Sequence, residues 1–181
     1  RNGLLDILVP DMGYSSLMLQ VKKGFFMDVT TQSGIAVLCG QYTGWGGLLN
    51  DYDNDGYVDL FIANGDPHHL YLEEATLARY DGKGKFIDMT DDSGDFFQKK
   101  FVGRGAAFLD FDNDGDIDIL MNAISDTPHL LRNDGGNGRH WLKVVPLRAD
   151  TGMVALGATV AVKANGLTMV QPVVAVNGYL T

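Results

Sequence analysis

One stretch of about twenty residues occurs twice in this chain, and few other features constrain a fold so tightly. GWGGLLNDYDNDGYVDLFIAN (44–64) returns as GRGAAFLDFDNDGDIDILMNA (103–123), fifty-nine residues later. Ahead of it, FMDVTTQSG (26–34) returns as FIDMTDDSG (86–94), and behind it DPHHLYL (66–72) is echoed by TPHLLRN (127–133). The blocks keep their order, so the chain is built from units of about sixty residues, each a supersecondary unit that buries its apolar face by stacking on its neighbours. A partial earlier copy is visible too. NGLLDILVPD (2–11) aligns with DGYVDLFIAN (55–64), and SLMLQ follows where HLYLE follows later. The chain is therefore expected to begin inside a repeat, and both its ends read as cut from something longer.

Within a unit, short apolar segments are separated by turn residues. Phe86–Met89, Ala106–Leu109, Ile117–Asn122 and His129–Arg132 are four to six residues each, rich in Phe, Ile and Leu and bounded by Gly, Asp and Asn. This is the pattern of strands and turns, and four strands in about sixty residues is the size of one β-propeller blade with its loops. EEATLARY (73–80) is expected to be a short helix or extended loop inserted between two strands. After Asn133 the pattern changes. HWLKVVPL (140–147), GATVAVKANG (157–166) and MVQPVVAVNG (169–178) read as strands without acidic loops. A boundary is expected in NDGGNGR, with propeller blades over 1–135 and a small β module over 136–181.

The acidic loops carry the chemistry. DYDNDGYVD (51–59) and DFDNDGDID (110–118) place carboxylates at positions 1, 3, 5 and 9, with glycine at position 6 for the sharp turn. Oxygen-rich loops suit a hard cation, and carboxylates crowded this closely repel unless one neutralises them. The expected ligands are Asp51, Asp53, Asp55, the carbonyl of Tyr57 and Asp59 in the first loop. In the second they are Asp110, Asp112, Asp114, the carbonyl of Asp116 and Asp118. Two Ca²⁺ sites follow; Mg²⁺ is less suited because it keeps more water and fewer protein ligands. An EF-hand is excluded, because position 12, which needs a bidentate Glu, is Ile62 in one loop and Met121 in the other. The bland alternative is that the aspartates are solvated turn formers, an explanation that suits one such loop better than two in register.

These residues resemble the FG-GAP/VCBS type of Ca²⁺-binding β-propeller, the class that includes the integrin α-subunit head. DYDNDGYVDLFIANG, DFDNDGDIDILMNA, FMDVTTQSG and FIDMTDDSG carry the resemblance. The C-terminal LLRNDGGNGRHWLKVVPL, LGATVAVKANG and NGYLT are similar to the ASPIC/UnbV module, the order found in cartilage acidic protein-like chains and in bacterial secreted proteins. The resemblance implies an all-β fold: a partial propeller of about two and a half four-stranded blades, followed by a small β-sheet module. It also implies that the chain packs against further blades or other partners.

Composition narrows the function. Fourteen Lys and Arg against twenty-three Asp and Glu give a net charge of −9, which disfavours nucleic acid or an anionic membrane as partner. No apolar run approaches the ~18 residues of a membrane helix. The lone Cys39 excludes an internal disulfide framework and is expected to be buried. The clustered carboxylates are claimed by the metal loops, and no nucleophile elbow, phosphate loop or zinc signature occurs. His68 and His129 follow Pro67 and Pro128 in matching positions and are expected to share a turn role, while Trp45 and Trp141 are expected to pack in the core or between blades. The expected function is a non-enzymatic, calcium-stabilised scaffold outside the cytosol (extracellular, cell-surface or periplasmic) that binds proteins or glycans. Loops with so modest a ligand count fit the weak affinities of extracellular modules, about 10⁻⁴–10⁻³ M. The alternatives are a structural subunit of a larger extracellular or periplasmic assembly, and a propeller hydrolase or lyase whose active site lies elsewhere.

Overall fold

The computed structural model describes residues 2–135 and 138–175. Its frame is three consecutive antiparallel sheets. The first holds β1 (Ile7–Val9), β2 (Ser16–Lys22) and β3 (Phe25–Asp28). The second holds β4 (Gly44–Asn50), β5 (Asp59–Asn64), β7 (Thr76–Tyr80) and β8 (Phe86–Asp88). The third holds β10 (Gly103–Leu109), β11 (Asp118–Ala123) and β12 (His129–Leu131). A short ribbon of β6 (Glu73–Glu74) and β9 (Lys100–Phe101) ties the second unit to the approach of the third. Three, four and three strands are the two and a half blades expected, in an all-β, propeller-like frame.

The sheets stack because their central strands are apolar on both faces. In β5 all six residues are buried. Alternate side chains of a strand point to opposite faces, so Phe61 and Ala63 join Ala106, Ile119 and Met121 of the third sheet, while Leu60 and Ile62 join Leu17 of the first. The outer faces of the flanking sheets stay open: Ile7 and Val9 on one side and Leu120 and Leu130 on the other are exposed. Glycine permits the close approach of β4 to β10. A Cβ at Gly46 would sit 2.6 Å from the Ala106 amide nitrogen and 2.8 Å from the Arg104 carbonyl. At Gly103 it would lie 2.6 Å from the Asn64 carbonyl. The glycines of GWGG and GRGA thus serve blade-to-blade contact. Trp45 packs at the same place, half-buried, donating its indole N–H to the Gly65 carbonyl (2.7 Å) under the Arg104 guanidinium (4.1 Å).

Several expectations are corrected. EEATLARY is neither helix nor inserted loop: Thr76–Tyr80 is a mostly buried strand between β5 and β8. Register fixes the true equivalence of the repeats. Ile62 pairs with Thr76, and Met121 with His129, so His129 corresponds to Thr76, not His68. DPHHLYL therefore lies in an insertion, in which His68 donates its amide to Asp66 (3.0 Å), whereas His129 sits in β12 against the Phe96 and Phe101 rings. Likewise SLMLQ corresponds to TLARY rather than HLYLE, since Ile7 pairs with Met18 as Leu60 pairs with Ala78. Two short helices, α1 (Thr30–Ser33) and α2 (Ile35–Cys39), follow β3 and seat Ile35 and Cys39 in the core. Burial pushes the Cys39 thiol up to about 11, so it packs as an apolar group.

In the C-terminal part, HWLKVVPL is not a strand; it contributes only an isolated bridge from Leu147 to Val154. The other two segments form a hairpin of β13 (Thr159–Ala164) and β14 (Leu167–Pro172). Asn165 and Gly166 close it, both at positive φ (50° and 79°), as a two-residue turn of mirror-image type requires. Residues 176–178 of the expected strand 169–178, and residues 136 and 137 just after the expected boundary, lie outside the described residues.

Candidate metal centre

Both acidic loops join the first strand of a blade to its second, which places them at one end of adjacent sheets. The chain turns the same way in each. Position 4 is left-handed (Asn54 φ 55°, Asn113 φ 61°), and so is the glycine at position 6 (Gly56 φ 89°, Gly115 φ 93°). Asn tolerates this region better than other side chains with a Cβ, and Gly has no barrier to it. The DNDG common to both loops is thus a backbone instruction as well as a charge pattern.

The turn gathers carboxylates. Asp51, Asp53 and Asp59 each offer an oxygen, all within 4.8 Å of one another, and Asp110, Asp112 and Asp118 do the same in the second loop. Six of the expected side-chain ligands are therefore brought together. Asp55 and Asp114 stand outside these groups; Asp55 accepts the Tyr57 amide (2.7 Å) and Asp114 the Asp116 amide (3.2 Å). The Asp116 side chain is fully buried, which its expected role as a carbonyl donor did not require.

Position 9 has a second task. Asp59 accepts the amides of Tyr52 (3.2 Å) and Tyr80 (2.9 Å), and Asp118 accepts those of Phe111 (3.0 Å) and Asn133 (2.8 Å). Each aspartate thereby locks its loop to the third strand, two residues beyond the partner of the residue that follows it (Ala78 for Leu60, Leu131 for Ile119). In the first unit Asp6 accepts the Gln20 amide (2.8 Å) at the equivalent place. The Asp at position 9 is therefore structural in all three units and available as a ligand in two.

The electrostatics suit a cation. Burial pushes Asp59 up to about 7; the Tyr80 amide opposes this, and the charges of Asp53, Asp51 and Asp55 add to it. Burial likewise pushes Asp51 up to about 6, against the amides of Gly56 and Asp55 and with the charges of Asp55 and Asp53. Asp112 is raised by desolvation and by the charges of Asp114 and Asp118. One buried oxygen of Asp110 has no hydrogen-bond partner. Carboxylates held apart from water, mutually repelling and with an unsatisfied oxygen fit a bound divalent ion that supplies the missing charge. Asp51, Asp53 and Asp59, and Asp110, Asp112 and Asp118, are the residues that could hold one each.

Three asparagines were not singled out from the sequence. Asn54 donates to the Gly115 carbonyl (3.1 Å), joining one loop to the other, and Asn133 donates to the Tyr52 carbonyl (2.6 Å). Asn113 accepts from Lys143 (3.1 Å). The signal available was the repetition of Asn at position 4 in both loops.

Antiparallel blade-like sheets with an acidic loop before the second strand define a class of repeat protein, and residues 51–121 match the FG-GAP-like repeat family. That segment of the chain is FG-GAP-like. The chain is similar to cartilage acidic protein 1 of Xenopus tropicalis, 30% identical over 122 residues, which are 66% of this chain and 18% of that protein. It is similar also to cartilage acidic protein 1 of Homo sapiens, 32% identical over 103 residues, 56% of this chain and 14% of that protein. The chain thus spans less than a fifth of the length of these curated relatives. No helix among the described residues is long and apolar enough to cross a membrane.

Proposed function

We propose that this chain is part of a non-catalytic scaffold that works outside the cytosol, that its two acidic loops each bind Ca²⁺, and that the ions stabilise a surface for binding other proteins or glycans. The observation carrying this reading is the pair of three-carboxylate groups set in register on adjacent blades. Weak, oxygen-only sites of this kind fill where calcium is plentiful, which favours an extracellular, cell-surface or periplasmic setting. Their ligands sit in loops tied to the blade strands, so bound ions act on folding stability rather than on a reaction.

The open faces around Ile7 and Val9 and around Leu120 and Leu130 favour packing against further blades of the same protein or against partners. The C-terminal residues from 136 on are read as an ASPIC/UnbV-like β module appended to the blades. The clustered carboxylates are gathered in the two loops, where they suit an ion, which favours a binding role over catalysis. A structural subunit of a larger assembly is the second reading, favoured by the half-exposed Trp141.

Thermal unfolding of the intact protein with Ca²⁺, with Mg²⁺ and with chelator tests the reading. A rise in melting temperature specific to Ca²⁺, and smaller in Asp53→Ala and in Asp112→Ala, is expected. Indifference to Ca²⁺ in a folded sample would contradict it and leave the aspartates as solvated turns.

A further inference from the structure

Both acidic loops are already touched by positive charge, and most of it comes from one segment. Arg139 places its guanidinium 3.6 Å from Asp53 Oδ1 and 3.8 Å from Asp55 Oδ2. Four residues on, Lys143 places its ammonium 3.2 Å from Asp110 Oδ2 and 3.1 Å from Asn113 Oδ1. Between them the Trp141 indole lies against Gly115 of the second loop, so closely that a Cβ there would overlap the ring. The segment therefore runs across both loops, one cation to each. From Arg139 to Val145 it is exposed throughout and belongs to no strand. Its anchors are two ion pairs between partly exposed groups and one ring contact. Exposed pairs of this kind hold weakly.

A divalent ion would seek the same carboxylates. Ca²⁺ sits 2.3–2.6 Å from its oxygens, and a guanidinium or ammonium within 4 Å of those oxygens repels it. We propose that Arg139 and Lys143 are built-in counter-ions of the two loops, that Ca²⁺ must displace them to bind, and that its binding releases the 139–145 segment from the loop face. The inference rests on the calcium reading above. It adds that the C-terminal segment and the ions compete, with one basic residue assigned to each loop. Removing a counter-ion therefore strengthens calcium binding at its own loop only.

Peptide-resolved hydrogen exchange on the intact protein, titrated with CaCl₂, reads each loop separately. In the wild type, Ca²⁺ is expected to slow exchange in 51–59 and 110–118 and to make the Trp141 fluorescence more accessible to a soluble quencher as the ring leaves Gly115. Arg139→Gln is expected to lower the calcium midpoint at 51–59 by about three- to fivefold and leave that at 110–118 unchanged; Lys143→Gln is expected to do the reverse. Midpoints that stay constant or rise, or a Trp141 fluorescence that Ca²⁺ makes no more accessible to the quencher, would overturn the competition while leaving the calcium sites standing. No protection of either loop at any Ca²⁺ concentration would remove the calcium reading and this inference with it.

Discussion

The aspartates of one loop do different work, and single substitutions separate it. Asp59 accepts two backbone amides from inside the blade, whereas Asp53 faces Arg139 and, at 4.0 Å, Arg79. Removing a buried acceptor strands its donors, at about 1–3 kcal/mol. In chelator, Asp59→Ala is therefore expected to destabilise the protein by about that amount, and Asp53→Ala by much less; denaturant titration measures both. In calcium both variants are expected to lose the ion's stabilisation as well, since each removes a ligand, so the gap between them is expected to persist.

Protonation gives a second prediction at this scale. Asp51 and Asp59 titrate near 6 and 7 in the folded chain, above their unfolded value near 3.8. Raised carboxylates bind protons that the unfolded chain has lost, so their contribution is present at low pH and lost as pH rises through about 4 to 7. Without divalent ions the melting temperature is expected to fall over that window. Asp28, Asp81 and Asp126 are lowered by accepted hydrogen bonds. They act in the opposite sense, but only at more acid pH. Calcium binds the ionised form, so the stabilisation it adds is expected to grow across the same window. A metal-free protein whose melting temperature rises from pH 5 to pH 7 would contradict this.

At the scale of elements, β4, β5 and β10 hold the blades together. Phe61 is fully buried between the second and third sheets, and Phe61→Ala is expected to cost about 3–5 kcal/mol. Gly46→Ala adds a methyl group where the neighbour is backbone that cannot swing aside, and is expected to cost about 1–3 kcal/mol by overpacking. The same denaturant titrations test both. These strands were legible from the sequence because apolar runs bounded by turn residues recur in register. β7 was not, because Ala, Leu, Arg and the Glu pair before it favour a helix in isolation. Burial between β5 and β8 overrides that preference. Its place in the repeat was obscured by the insertion around DPHHLYL, whose likeness to TPHLLRN is one of letters rather than position. HWLKVVPL has the composition of a strand but finds no strand to pair with among the described residues. The three-carboxylate groups were legible because spacing fixes them. That Asp55 and Asp114 stand outside them was not, because spacing alone does not say where each carboxylate points once the turn has closed.

For the whole molecule, adjacent units share faces, as in other stacked repeats, so a change in one loop is felt where the next packs against it. Asn54 crosses directly from one loop to the other, and Asn133, just beyond β12, reaches the Tyr52 carbonyl of the first loop. The C-terminal hairpin reaches the same end: Gly56 lies under Leu167 and Met169, and Gly3 under Thr168 and Val170. The loop end of the three units, the 139–145 segment and the hairpin thus form one surface, on which charge neutralisation and packing act together. Counting calcium bound to the intact protein by equilibrium dialysis tests the calcium sites most directly, comparing wild type with Asp53→Ala and Asp112→Ala. Each variant is expected to bind one ion fewer than the wild type. Equal counts in all three would show that the acidic loops are not calcium sites.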